Sequence, residues 1–359
     1  MATFSWPEVL VRLVVGEDLD SDLCRAVMGA IVSGEATDAQ IAGFAVALRA
    51  KNETAAEVDG LVAAMLEVSV PLEFDADALD IVGTGGDLSH SINISTLASL
   101  VAAGAGATVI KHGNRAASSK CGSADVLAEL GVKIDLPPAA VLTCVEEVGV
   151  GFCFAPVFHP ALRFAGPARR ELGIPTVFNI LGPLANPAQP SASLIGAADQ
   201  RLAPVMARVF AQRGRHALVV RGHDGMDEVA IGGDTDVWDT TDEGVRGFRV
   251  GPTMADLPLL DPADLRGGDA AFNAATIVSV LEGGAQGRLG AVRQAAVLNA
   301  AAALVAWDAA TGTHAYGDPA QATGHRLAAA IPAAEEAIDS GRARDVLARW
   351  SAVSSRYGD

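Results

Sequence analysis

Apolar positions recur at helical spacing over the first 70 residues. Trp6, Val9, Leu10 and Leu13 form one set; Leu23, Val27 and Ile31 form another that stops at Gly34. Two further segments open on Thr37 with Gln40 and on Thr54 with Glu57. At that spacing the hydroxyl bonds the N3 amide while the N3 side chain reaches back to the cap amide, so each pair marks a helix start. They lead into the amphipathic runs IAGFAVALRA and VDGLVAAMLE. The pattern predicts about four short helices and no strand.

After Pro71 the period changes. Short β-branched runs alternate with longer helical ones: LDIV (79–82), TVIKH (108–112), GFCFA (151–155), TVFNI (176–180), SLIGA (193–197) and HALVV (216–220) are the expected strands. SADVLAELG and LAPVMARVFAQRG are typical of the helices between them. This alternation predicts an α/β fold with a mainly parallel sheet covered on both faces. Residues 229–250 read as antiparallel strands and turns, and the tail from about Ala270 as Ala-rich helix broken near Gly317–Pro319. The expected organisation is a helical domain over 1–70, joined by helices near 163–175, and an α/β domain over 71–359.

Composition narrows the classes. Half of the 359 residues are hydrophobic and only 19% are charged, which excludes a polyelectrolyte or disordered chain. The net charge of −17 repels polyanions, so neither nucleic acid nor an anionic membrane is an expected partner. A small anion held by local donors or a metal remains open. Cys24, Cys121, Cys144 and Cys153 are widely spaced, without a C-x-x-C pair, so neither a disulfide framework nor a zinc site is expected. The first residues lack a basic n-region, and the small-residue run Leu97–Ile110 is too short to span a bilayer. A cytoplasmic protein is the expectation.

The informative loops follow predicted strands, where open parallel sheets bind ligands. Gly83-Thr84-Gly85-Gly86-Asp87, then Asn93-Ile94-Ser95-Thr96 opening a helix, is suited to holding phosphate on backbone amides and a helix N-terminus. Taken alone it reads equally as a glycine-rich turn. Lys111-His112-Gly113-Asn114-Arg115 runs on through Ala116, Ala117, Ser118, Ser119, Lys120 and Ser123. It concentrates cations and hydroxyls in an otherwise acidic chain and is also compatible with a plain polar loop. Asp227-Glu228 follows HALVV and offers hard oxygen ligands for Mg²⁺, although an isolated acidic pair is usually a turn. His159 and the Arg169-Arg170 pair follow FAPVF, and Arg169 can form a bidentate pair with a substrate carboxylate. No nucleophile motif competes, which points to catalysis by positioning and charge stabilisation.

DIVGTGGD (80–87), NIST (93–96), KHGNRAASSKCGSADVLAELG (111–131), FAPVFHPALRFAGPARRELGIPTVFNILGPLANP (154–187) and GHDGMDE (222–228) together closely resemble the anthranilate phosphoribosyltransferase family, in its order and over nearly the whole chain. The resemblance implies a small helical domain hinged to a larger α/β domain, and homodimers formed through the N-terminal helices. Phosphoribosyl pyrophosphate would be held by Gly83, Gly86, Asp87, Ser91, Asn93, Ile94, Ser95 and Thr96, with Lys111, His112, Gly113, Asn114, Arg115, Ala116, Ala117, Ser118, Ser119 and Ser123. Anthranilate would meet Gly83, Asn114, His159 and Arg169, and His112 is a candidate base. Mg²⁺ would be bound by Ser95, Asp227 and Glu228. The chain departs from the family at Leu88, where Gly is usual, at Ser91-Ile92 in place of Thr-Phe, and at Phe158 before His159. Nucleoside phosphorylases share the implied architecture but typically lack the GTGGD and KHGNR wording.

Overall fold

The computed structural model describes residues 4–116 and 120–357. Four helices come first: α1 (Trp6–Val14), α2 (Ser21–Val32), α3 (Asp38–Lys51) and α4 (Ala55–Glu67). Both predicted capping boxes are formed, Thr37 with Gln40 and Thr54 with Glu57. Glu57 carries more than its box. Its buried carboxylate also accepts from the Leu19 amide and from Lys51 Nζ, tying α4 to α3 and to the turn before α2.

Then follow β1 (Leu79–Gly83), α5 (Ile94–Gly104), β2 (Val109–Gly113), α6 (Ser123–Glu129), α7 (Pro138–Val148) and β3 (Val150–Phe154). Short helices α8 (Ala155–Phe158), α9 (Gly166–Leu172) and α10 (Phe178–Leu184) precede β4 (Ala192–Gly196), α11 (Ala203–Gln212) and β5 (His216–Gly222). The chain ends with β6 (Thr235–Asp239), β7 (Arg246–Val250), α12 (Ala270–Leu281), α13 (Arg288–Thr311), α14 (Thr323–Asp339) and α15 (Arg342–Ser354).

The seven strands form one sheet in the order β3-β2-β1-β4-β5-β6-β7. The first five are parallel, and β6 and β7 are antiparallel additions at one edge. Alternate residues of the central strands feed different cores. Leu194, Leu218 and Val220 join the cluster under α5 and α13, whereas Ile195, Ala217 and Val219 join the one shared with α1–α4, α10 and α11. The sheet is thus covered on both faces, as the strand–helix alternation predicts.

One expected strand is a helix. TVFNI (176–180) leads into α10, and Val177, Ile180, Leu181 and Leu184 are buried at spacings of three and four. The β-branched start hides a helical period that becomes visible only when the run is extended to Leu184. All four cysteines are buried. Among the described residues α13 alone is long and apolar enough to cross a membrane. Its apolar stretch is 83% buried, because it is the central helix packed on β4, β5, α5 and α14.

Candidate active site

The strand ends β1, β2, β4 and β5 meet at one cleft. Backbone approach there is closer than any side chain permits. A Cβ on Gly83 would stand 2.3 Å from Asp227 Oδ2, and one on Gly196 would stand 1.7 Å from the Asp227 carbonyl oxygen. Asp227 is therefore seated against bare main chain, where its Oδ2 accepts from the Gly85 amide at 2.7 Å. Gly85 and Gly86 have φ of +67° and +80°, so the loop needs glycine for its turn as well as for contact. Leu88 holds φ +62° with its side chain 73% exposed. A branched residue in this region carries strain on the order of 1–2 kcal/mol.

Asn93 is a junction. Its Nδ2 donates to the Cys121 carbonyl (3.1 Å) and its Oδ1 accepts from Asn273 of α12 (2.9 Å). The first turn of α5 is thereby tied to the loop after β2. In that loop Arg115 pairs with Asp125 at 2.8 Å, and Asp125 also accepts from the amides of Ala116 and Gly122. Burial opposes ionisation of Asp125, but those two amides and Arg115 outweigh it and hold its pKa below the usual range. The charge of Arg115 is thus already met within the loop. Lys111 is buried, donating to the Ile81 carbonyl and, at 3.2 Å, to Ser95 Oγ.

The acidic corner comprises Asp87, Asp227 and Glu228. Burial, followed by the charge of Asp87, pushes the Asp227 carboxyl up to about 7. Burial and then Asp227 raise Glu228, against the pull of Lys111. Among the described residues no donor meets the buried Asp87 Oδ2. Asn299 of α13 holds the far side of this segment, its Oδ1 accepting from the Val229 amide at 2.9 Å. The donor set is all oxygen and its repulsion is only partly offset by Lys111 and the Gly85 amide, which fits a hard divalent cation. No three His, Cys, Asp or Glu side chains converge on one point among the described residues. An Mg²⁺ here would therefore draw most ligands from phosphates and water, its ordinary mode.

Across the cleft stands Arg169 of α9. Burial lowers its pKa, its guanidinium lies 5.8 Å from the Phe178 ring, and no carboxylate pairs with it among the described residues. The cavity between these walls is ≈ 410 Å³. Gly83, Gly86, Asp87, Ser91, Asn93, Ile94, Ser95, Lys111, Gly113, Asn114, Arg115, Ala116, Ser123, Arg169, Asp227 and Glu228 all line it.

Three predicted site residues stand behind that lining. Thr96 is buried in α5. His112 Nδ1 meets the Gly182 carbonyl and His159 Nε2 that of Ala185, with ring centroids 5.1 Å apart. Since a carbonyl only accepts, each of these nitrogens carries the proton and donates it. Burial, then the neighbouring His159, pushes His112 down to about 3. Ala117, Ser118 and Ser119 lie outside the described residues. Asn179, Ser89 and His90 also line the cavity without having been expected there. Asn179 lies within the 154–187 motif without having been given a role, and Ser89 and His90 bridge the two expected stretches 83–87 and 91–96.

With this geometry the chain matches two family models, the glycosyl transferase family helical bundle domain over residues 7–69 and its a/b domain over 75–344. A curated anthranilate phosphoribosyltransferase from Saccharopolyspora erythraea is 53% identical over 98% of this chain and 96% of its own. The chain belongs to the anthranilate phosphoribosyltransferase family. Among solved structures, the family member from Thermus thermophilus superposes with a TM-score of 0.86 at 38% identity, covering 97% of this chain and 99% of its own. The family member from Saccharomyces cerevisiae, in complex with PRPP and Mg, gives 0.85 at 27% identity over 98% of each chain.

Proposed function

We propose that this chain transfers the phosphoribosyl group of 5-phosphoribosyl 1-pyrophosphate to the amine of anthranilate, releasing pyrophosphate, in tryptophan biosynthesis. The observation that carries this reading is a single cleft with two unlike walls. One wall presents turned-in amides and oxygen ligands, and the other presents Arg169, with no carboxylate beside it among the described residues. The yeast relative is described with PRPP and Mg, which suits the first wall.

The amine nitrogen attacks ribose C1 as the C1–oxygen bond to pyrophosphate breaks. Magnesium, when bound at Ser95, Asp227 and Glu228, supplies charge neutralisation and a template for the diphosphate. Gly83, Gly86, Asp87, Ser91, Asn93, Ile94 and the 111–123 loop would hold the donor through amides, hydroxyls and the helix terminus, with Thr96 supporting them from behind. Arg169 would pair with the anthranilate carboxylate, and Gly83 and Asn114 would face its ring. An aromatic amine is unprotonated at neutral pH, and the ammonium formed on attack is acidic, so its proton passes to the departing pyrophosphate or water and the step needs no strong base. His112 and His159 would support the acceptor's path from behind the lining.

Residues 1–70 with helices near 163–175 would move as one body against the rest of 71–359, closing the cleft and excluding water. Val11, Val14 and Val15 of the α1 end are exposed, 62%, 76% and 65%, and Val46 of α3 lies exposed as well. These apolar residues support a homodimer through the N-terminal helices, in the cytoplasm, where both substrates are expected. Light scattering checks this as a particle of twice the 36.6 kDa chain mass. The reaction is tested by mass spectrometry: anthranilate and donor should yield N-(5-phosphoribosyl)anthranilate. Phosphorolysis of a nucleoside instead would move the chain to the nucleoside phosphorylases.

A further inference from the structure

The β1–β2 seam differs from its neighbours. β1 pairs with β4 over five residues, and β2 with β3 over five, but β1 and β2 share one register pair, Leu79 with Val109. Beyond it the strands part, toward the ends that carry the two loops lining the cleft. The backbone groups left there are buried, and side chains take them up. The His112 amide donates to Asp80 Oδ1 at 3.1 Å. The Ile81 carbonyl accepts from Lys111 Nζ. The Ile110 carbonyl accepts from Asn186 Nδ2 at 2.8 Å, and the same amide group donates to Asp80 Oδ2 at 2.8 Å. Asp80, Lys111 and Asn186 are each at most 4% exposed.

We infer that Asp80 and Asn186 are positioning residues which, with Lys111, form a side-chain wedge in place of the β1–β2 ladder and set the gap between the two donor-binding loops. A buried backbone group without a partner is costly, so the strands cannot part unless something replaces their bonds. The wedge does so at a fixed width. Its far end reaches the site, because Lys111 also donates to Ser95 Oγ at the start of α5. Its near end reaches the segment leaving α10, because Asn186 Oδ1 accepts from the Ala188 amide. Neither Asp80 nor Asn186 lines the cleft, so their effect must pass through the loops.

The inference rests on the transfer reaction proposed above, and its test separates the two. Wild-type turnover with donor and anthranilate is measured first; its absence would defeat the reaction and not the wedge. Asn186→Ala, Asn186→Ser and Asp80→Asn are then assayed for both KM values, which do not depend on the fraction of protein folded. Each variant is expected to raise the donor KM about tenfold and to leave the anthranilate KM within about twofold. The exchange pair Asp80→Asn with Asn186→Asp restores a bond between the two side chains but leaves the Ile110 carbonyl without a donor, so the donor KM should stay at least threefold raised, and full recovery would overturn the part given to that carbonyl. Equal rises in both KM values, or an unchanged donor KM in whichever variants fold, would overturn the wedge.

Discussion

The two arginines nearest the cleft illustrate how its walls differ. Arg115 stands in the loop after β2 and is spent on Asp125, which also gathers two amides of the same loop. Arg169 stands on α9, against the aromatic face of Phe178, with no carboxylate beside it among the described residues. On the donor wall Arg115 is matched within the protein, the acidic corner is left for a metal, and the main chain faces the cavity. On the acceptor wall one cation is left for the ligand. A polyanion that brings its own metal needs shape and many donors, whereas a monocarboxylate needs one well-placed guanidinium.

The largest expected effect lies at the acidic corner. Asp227→Asn combined with Glu228→Gln should lower kcat at least about a thousandfold, as expected when positioned charge stabilisation is lost. Turnover across a magnesium series checks it; near-normal rates at every concentration would remove these residues from the metal site. Next comes Arg169→Ala. Loss of a charge-assisted pair is worth about 1.5–3 kcal/mol, so the anthranilate KM should rise about 10- to 100-fold with the donor KM nearly unchanged. An equal rise in both would make the two walls one.

Arg115→Ala should act on the other substrate and more weakly, raising the donor KM about three- to tenfold by loosening the loop through Asp125. If it acts instead on anthranilate, the contrast between the arginines fails. His112 acts on stability rather than on either substrate. Its folded pKa lies below the unfolded value, so the unfolded chain binds the extra proton between about pH 3 and 6.5. Stability from this group is complete above pH 6.5 and is lost as pH falls, by about 2 kcal/mol at pH 5. His112→Asn should flatten denaturation midpoints over that window. An unchanged slope would show that the ring is already charged in the folded protein.

Local chemistry was readable from the chain. The capping boxes at Thr37 and Thr54 need only four consecutive residues, and both formed. Five of the six expected parallel strands are present, and the exception, TVFNI, failed because a five-residue window cannot separate a strand from the first turn of α10. The cleft was legible where its residues sit in contiguous motifs. What escaped is held by distant partners: Asn273 on Asn93, Asn299 on Val229, and Asn186 on Asp80. An asparagine in an Ala-rich helix has no local signature of the loop it will support. The burial of His112 behind Gly113 was equally hidden, since strand alternation gives the face but not what covers it.

The most direct measurement is the loss of anthranilate fluorescence on adding 5-phosphoribosyl 1-pyrophosphate, with magnesium and again with excess EDTA. The two-walled cleft predicts a loss that requires magnesium and is matched mole for mole by released pyrophosphate. Undiminished fluorescence, in folded protein that binds the donor, would contradict it.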